Sequence, residues 1–301
     1  MSRMLVVAAA VLVVVANLVG DPPAYGQVEL KWKLVKDQTF VIEEVVTIQQ
    51  TIKVAGKNTK IKTKQTKLST IRVLEVVMGG DEDGSVKLEM RLDSIMAKGA
   101  GAVHAGIHKK MAGAIFQVSL NSKMQITKFE GYDALVTKVA GGVPHDRAVF
   151  QNLVTEETMR RTIDETFSIV PDGAVKVLDT WQRPTTLQLG PLGKLAVERT
   201  FSYAGKRRLK GTLYDKMLLT AKAQYQLPKI KGQTHAIKKA NVKIHDYEGS
   251  VFFDATKGRL VQTDQKTRLT GSFVIQTPQG QGRVTLLYSR SSRRRVLDPK
   301  R

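Results

Sequence analysis

Few side chains in this sequence combine the residue types and spacings that chemistry needs. His104 and His108 are four apart, which on a helix sets two imidazoles on one face and can begin a metal site. The surrounding segment is Gly-rich and offers no nearby carboxylate as a third ligand, so solvent-facing loop histidines are expected. Asp81, Glu82 and Asp83 look like a piece of a calcium loop without the later carboxylates such a loop requires, and a charged hairpin tip is expected. His145-Asp146 and His245-Asp246 are adjacent pairs, yet no Gly-x-Ser-x-Gly elbow accompanies either. A sequence neighbour also rarely orients its own imidazole as a triad acid would. Gly79-Gly80, Gly141-Gly142 and Gly280-Gln281-Gly282 lack the strand-to-helix context and the lysine of a phosphate loop. The residues therefore predict no catalytic group, no metal site and no cofactor.

Basic side chains are the other candidate. Lys60, Lys62 and Lys64 alternate, so a strand would point all three the same way, with Lys53, Lys57, Lys67 and Arg72 extending the patch. Further groups stand at Lys206-Arg207-Arg208-Lys210, at Lys238-Lys239 with Lys243, and at Arg290, Arg293, Arg294, Arg295, Lys300 and Arg301. Such charge attracts polyanions by a sequence-blind, salt-sensitive mechanism. Aligned lysines also serve to block edge-to-edge strand pairing, which is the competing explanation.

The elements that must position these residues are mostly strands. Before them, Arg3, the apolar run Met4 to Ala16 and the small-residue ending Pro22 to Gly26 have the layout of a secretory signal peptide, cleaved between Gly26 and Gln27. The run falls short of the roughly 20 apolar residues that span a bilayer. Cleavage would remove Arg3 and Asp21 together, leaving the formal charge at +21. The expected location is periplasmic or extracellular. The chain has no cysteine, which removes disulfides, thiol nucleophiles and a lipid-modified cysteine anchor, and its 42% hydrophobic content supports a sizeable core.

From Glu29 onward the dominant period is two. Leu30, Trp32 and Leu34 share a face; Thr39 to Val54 is rich in Val, Ile and Thr; Gly56-Lys57-Asn58 forms a turn; Val86, Leu88, Met90 and Leu92 oppose Lys87, Glu89, Arg91 and Asp93. Lys98 to Gly113 reads as a loop or weak helix, followed by a strand near Ile115 to Leu120. Between 146 and 167 the pattern turns helical, with Thr155-Glu156-Glu157 as a helix start and Met159, Ile163 and Phe167 at helical spacing. Strands resume near Thr185. The expected fold is α+β and predominantly antiparallel: a long-stranded meander curved into a half-barrel around one or two central helices. The expected layout is a signal peptide over 1–26, one β-rich domain over 27–289 and a basic tail over 290–301. The domain divides into an N-terminal β region (29–120), a helical insert (146–167) and a C-terminal β region (185–289).

Leu30-Lys31-Trp32-Lys33-Leu34, then Asp37-Gln38-Thr39-Phe40 and Glu43-Glu44-Val45, with the later Asp254-x-x-Lys-Gly258-Arg-Leu260, resemble exported bacterial proteins of a domain-of-unknown-function family found in planctomycete-like genomes. That resemblance implies an exported β-rich protein of unassigned activity and carries over no catalytic residue. The long meander with a helical insert also looks like the half-barrel of periplasmic lipoprotein carriers, an architectural likeness that does not set function.

Two binding functions and one enzymatic one follow as expectations. The first is a non-enzymatic envelope protein holding a lipid, another apolar or amphipathic ligand, or a partner in a sheet–helix cleft lined by Trp32, Phe40, Phe150, Trp181 and Phe253. The second is binding to an anionic polymer or surface through Lys60, Lys62, Lys64, Arg293, Arg294 and Arg295. The third, a hydrolase, would need His and carboxylate residues to converge in space.

Overall fold

The computed structural model describes residues 26–77, 84–99, 105–141, 143–189, 192–227, 236–277 and 280–298. The expected signal peptide up to Tyr25, His104 and the Asp81-Glu82-Asp83 tip lie outside them. Five strands come first: β1 (Thr39–Val54), β2 (Lys57–Val77), β3 (Ser85–Gly99), β4 (Ala114–Asn121) and β5 (Ile126–Glu130), with α1 (Ala105–Met111) between β3 and β4. Three helices follow: α2 (Tyr132–Ala140), α3 (Pro144–Leu153) and α4 (Glu156–Phe167). Six strands return: β6 (Thr180–Gln188), β7 (Lys194–Leu209), β8 (Thr212–Gln226), β9 (Ala236–Asp254), β10 (Arg259–Thr277) and β11 (Gly280–Leu297).

All eleven strands form one antiparallel sheet in the order β5-β4-β3-β2-β1-β11-β10-β9-β8-β7-β6. The chain walks outward from the centre to one edge, crosses through the helices, and walks back from the other edge. Its first and last strands therefore pair at the middle, with Glu44 opposite Arg294 and Ile48 opposite Arg290. The sheet does not close by strand pairing. Instead α4 packs against both edge strands, β5 and β6, and fills the gap of a curled sheet. The expected curved antiparallel meander is present in this form.

Local chemistry explains the central helix. Thr155 caps α4, its Oγ1 accepting from the backbone N–H of Thr158 at 3.1 Å, and Glu156 and Glu157 suit the positive end of the helix dipole. Ile163 and Phe167 turn into the sheet. One end of the interior is aromatic: Trp32 packs at a tilt on Phe167 (4.9 Å) and meets Phe253 edge-on (5.7 Å), and its Nε1 donates to the Phe167 carbonyl at 3.0 Å. The other end holds Leu195, Val197, Leu269, Phe273 and Leu286, all buried.

Three features depart from the sequence reading. Glu29 to Leu34 buries its alternate apolar side chains as expected, but it is an extended strap; Val28 makes a single bridge to Val175, and the Lys33 N–H donates to the Gly258 carbonyl at 2.8 Å. Gly258 sits at φ +58°, and an added Cβ would meet Lys33 at 2.3 Å, so a glycine is needed where the strap crosses. The chain from β5 through α2, which the period did not reveal, supplies an edge strand and a helix, whereas α1 is the weak helix allowed for in the Gly-rich stretch. Last, residues 290–297 are no tail: they belong to β11, paired with β1 on one side and β10 on the other.

Candidate functional site

The register sorts charged side chains to opposite faces of the sheet. On β1 the inward positions run Phe40, Ile42, Glu44, with the first two buried in the aromatic end. On β11 the partners Arg290 and Arg294 point inward, because alternate residues share a face. Lys67 lies opposite Glu44 on β2, and Arg199 enters from β7. From α4 come Arg161, Asp164 and Glu165. Together they form a charged belt between the two apolar ends.

Glu44 anchors the belt, accepting Arg294 Nη2 and Lys67 Nζ at 2.8 Å each. Burial alone would push its carboxyl up, but Lys67, Arg294 and Arg290 together outweigh burial and hold it well below the usual carboxylate range. Glu165 is lowered for the same reason: its burial opposes ionisation, and Arg290, Arg161, Arg199 and Arg294 overcome it. Asp164 goes the other way. Its burial dominates the pull of Arg199 and the hydrogen bond from Ser168, so its pKa is raised. Tyr247, on β9 beside the belt, is pushed up to about 12, first by burial and then by the charge of Glu165. Two cavities of about 20 Å³ flank the Glu44–Arg294 pair, each with room for about one water-sized species.

On the outer face the same strands carry a different arrangement. Lys60, Lys62 and Lys64 are all exposed and project from β2 in line, over Thr51, Gln49 and Thr47 of β1. Two open grooves of about 670 Å³ each continue one another along these strands. The first is edged by Lys60, Lys62, His245 and Arg268; the second by Lys64, Lys216, Lys266, Arg293 and Arg295. Their floor includes Gln49, Thr51, Ser289 and Ser291, amide and hydroxyl groups able to hydrogen-bond an anion. Arg268 pairs with Asp246, Arg293 with Asp264 at 2.6 Å, and Arg295 with Glu43. Among the described residues no carboxylate pairs with Lys60, Lys62 or Lys64.

Of the six basic residues expected to form one surface, five therefore face outward and Arg294 faces in, where it is buried. The five aromatics expected to line a ligand cleft pack as core: Trp32, Phe40, Phe150, Trp181 and Phe253 are all buried. Trp181 stacks on Phe201 at 5.7 Å and donates from Nε1 to the Ile169 carbonyl at 3.1 Å. These rings occupy the space a cleft would need. The histidines among the described residues do not converge: His145 is exposed on α3, His108 lies on α1, and His245 Nε2 is 3.0 Å from Thr270 Oγ1 on the outer face. No group of three metal-ligating side chains occurs among the described residues.

The belt was missed in the sequence. Its one readable sign is Glu44, a carboxylate in register with Phe40 and Ile42 on a strand face with no other charged residue. Arg199, Glu165 and Arg290 give no such sign, because their meeting depends on the curl of the sheet around α4.

Comparison with curated proteins finds none that matches. Three solved structures are similar at low scores. DynF from the dynemicin biosynthesis pathway of Micromonospora chersina shares 10% identity over 94% of this chain and 91% of that one, with a TM-score of 0.21. OpdQ of Pseudomonas aeruginosa shares 10% identity over 87% and 100%, with a TM-score of 0.22. A DUF1329 family protein from Desulfovibrio piger shares 9% over 82% and 83%, with a TM-score of 0.13. Similarity at this level carries no argument about function. The model of a family of unknown function matches residues 84–277, more than half of the chain, and the protein belongs to that family, DUF6263.

Proposed function

We propose that this is an exported, non-enzymatic envelope protein that binds an anionic polymer or surface on the outer face of its sheet. The observation that carries the reading is the row Lys60, Lys62 and Lys64, exposed, aligned and free of carboxylate partners among the described residues. Adjacent lysines on one strand face stand about 7 Å apart, and in water two charges at that distance repel by only about 0.6 kcal/mol. The fold tolerates that repulsion, and a bound polyanion turns each lysine into an attractive contact. The apolar run near the start of the sequence supports export, and no helix among the described residues is long and apolar enough to cross a membrane. An apolar ligand inside the sheet would have to displace the Trp32, Phe167 and Phe253 rings, which is why the outer face is preferred.

Heparin chromatography tests the proposal. Retention should fall steeply with salt, and the Lys60→Glu/Lys62→Glu/Lys64→Glu variant should elute much earlier while keeping its circular dichroism spectrum. Unchanged elution of that folded variant would remove the row from the binding surface.

A further inference from the structure

The inner belt holds more positive than negative charge. Lys67, Arg161, Arg199, Arg290 and Arg294 meet only Glu44, Glu165 and Asp164, five cations against three carboxylates. Lys67 and Arg161 keep about a fifth of their side chains exposed, but excess charge around the buried Arg199 and Arg294 is costly unless something of opposite sign joins it. Two donors are also unspent. Arg199 and Arg294 are 4% and 7% exposed, and the Nε of each has no hydrogen-bond partner among the described residues. Both side chains line the same cavity of about 20 Å³, together with Thr263, Gln265 and Ser292. A hydroxyl or amide at its wall can add a further donor.

We propose that this cavity binds one monatomic halide, chloride under cellular conditions, between Arg199 and Arg294. Size decides the class: a space that admits about one water-sized sphere excludes phosphate, sulfate and carboxylates. Charge decides between the remaining occupants, because a water answers the two N–H groups and leaves the net charge of the belt unchanged. Glu44 and Glu165 also line the cavity, but each is already engaged by cations: Glu44 by Lys67 and Arg294, Glu165 by Arg161 at 3.7 Å. Their negative charge weakens the binding of an anion beside them. The site lies inside the sheet, so it stands or falls separately from binding on the outer face.

Thermal unfolding of the full chain in sodium chloride against sodium gluconate at equal ionic strength separates specific binding from screening. Chloride should raise the melting temperature with the logarithm of its concentration, on the order of 3–6 °C between 10 and 300 mM, with no such rise in gluconate. In Arg199→Gln the chloride-specific rise should disappear. Should that variant not fold, crystals of the unaltered protein grown in sodium bromide decide the matter by an anomalous peak within hydrogen-bond reach of Arg199 and Arg294. Equal rises in both salts overturn the proposal. With equal rises, a bromide peak would mean an adventitious ion only, and the lack of one would mean a water-filled cavity.

Discussion

Arg293, Arg294 and Arg295 are consecutive, and the sheet treats them in two ways. Arg294 enters the interior and meets Glu44 and Glu165; Arg293 and Arg295 stand on the outer face with Asp264 and Glu43. The same division holds on β2, where Lys67 is spent on Glu44 while Lys60, Lys62 and Lys64 have no carboxylate to meet among the described residues. Inside, charge is interlocked and the energetic stake is stability. Outside, Arg293 and Arg295 meet carboxylates as well, and only the row Lys60, Lys62 and Lys64 stays without one among the described residues. A net charge of +21 thus conceals two populations of cations in different surroundings.

That division can be tested by breaking each side in turn. The largest effect is expected from Glu44→Ala, which strands Lys67 and Arg294 in the interior and should cost about 3–5 kcal/mol in denaturant unfolding. Acid should act on the same groups: Glu44 and Glu165 have lowered pKa values, so their contribution is complete above the ordinary carboxylate range and is lost as pH falls through their folded values. Midpoints measured from pH 6 down to pH 2 should decline, and Glu44→Ala should flatten that decline. Alkali should have the next largest effect. With Tyr247 raised to about 12, stability present below about pH 10 should drain by about 2–3 kcal/mol as pH climbs toward 12, and Tyr247→Phe should abolish that loss. The smallest effect on stability belongs to the outer row. Each of Lys60→Glu, Lys62→Glu and Lys64→Glu should shift unfolding by no more than about 0.5 kcal/mol, while together they move heparin elution most. A triple variant that unfolds easily would erase the distinction between the faces.

The strands were legible because their side chains alternate. Phe40 and Ile42, or Val86, Leu88, Met90 and Leu92, announce a half-buried strand on their own. The position of β11 was not legible, since Arg293-Arg294-Arg295 reads as a solvated run until a partner strand fixes which of the three turns inward. Phe129 is the only buried side chain of β5, so that short edge strand offered no period to detect. The outer row was legible in full at Lys60, Lys62 and Lys64, because a site built on one strand is local. The belt was not, since it draws on β1, β2, β7, β11 and α4 and exists only once the sheet has curled.

The seam between β1 and β11 has a consequence for how the molecule is made. Glu44 and Arg294 are 250 residues apart, so the centre of the sheet is its most non-local joint. Two partial sheets, β1 to β5 and β6 to β10, rest on hairpin-range or short-loop contacts, but each leaves a bare edge until β11 bridges them. Such a chain is expected to fold slowly, and any product that stops short of β11 would present two open strand edges to its neighbours. Slow closure would suit the export proposed above, which needs an unfolded chain, and it makes β11 the strand that commits the chain to its native shape.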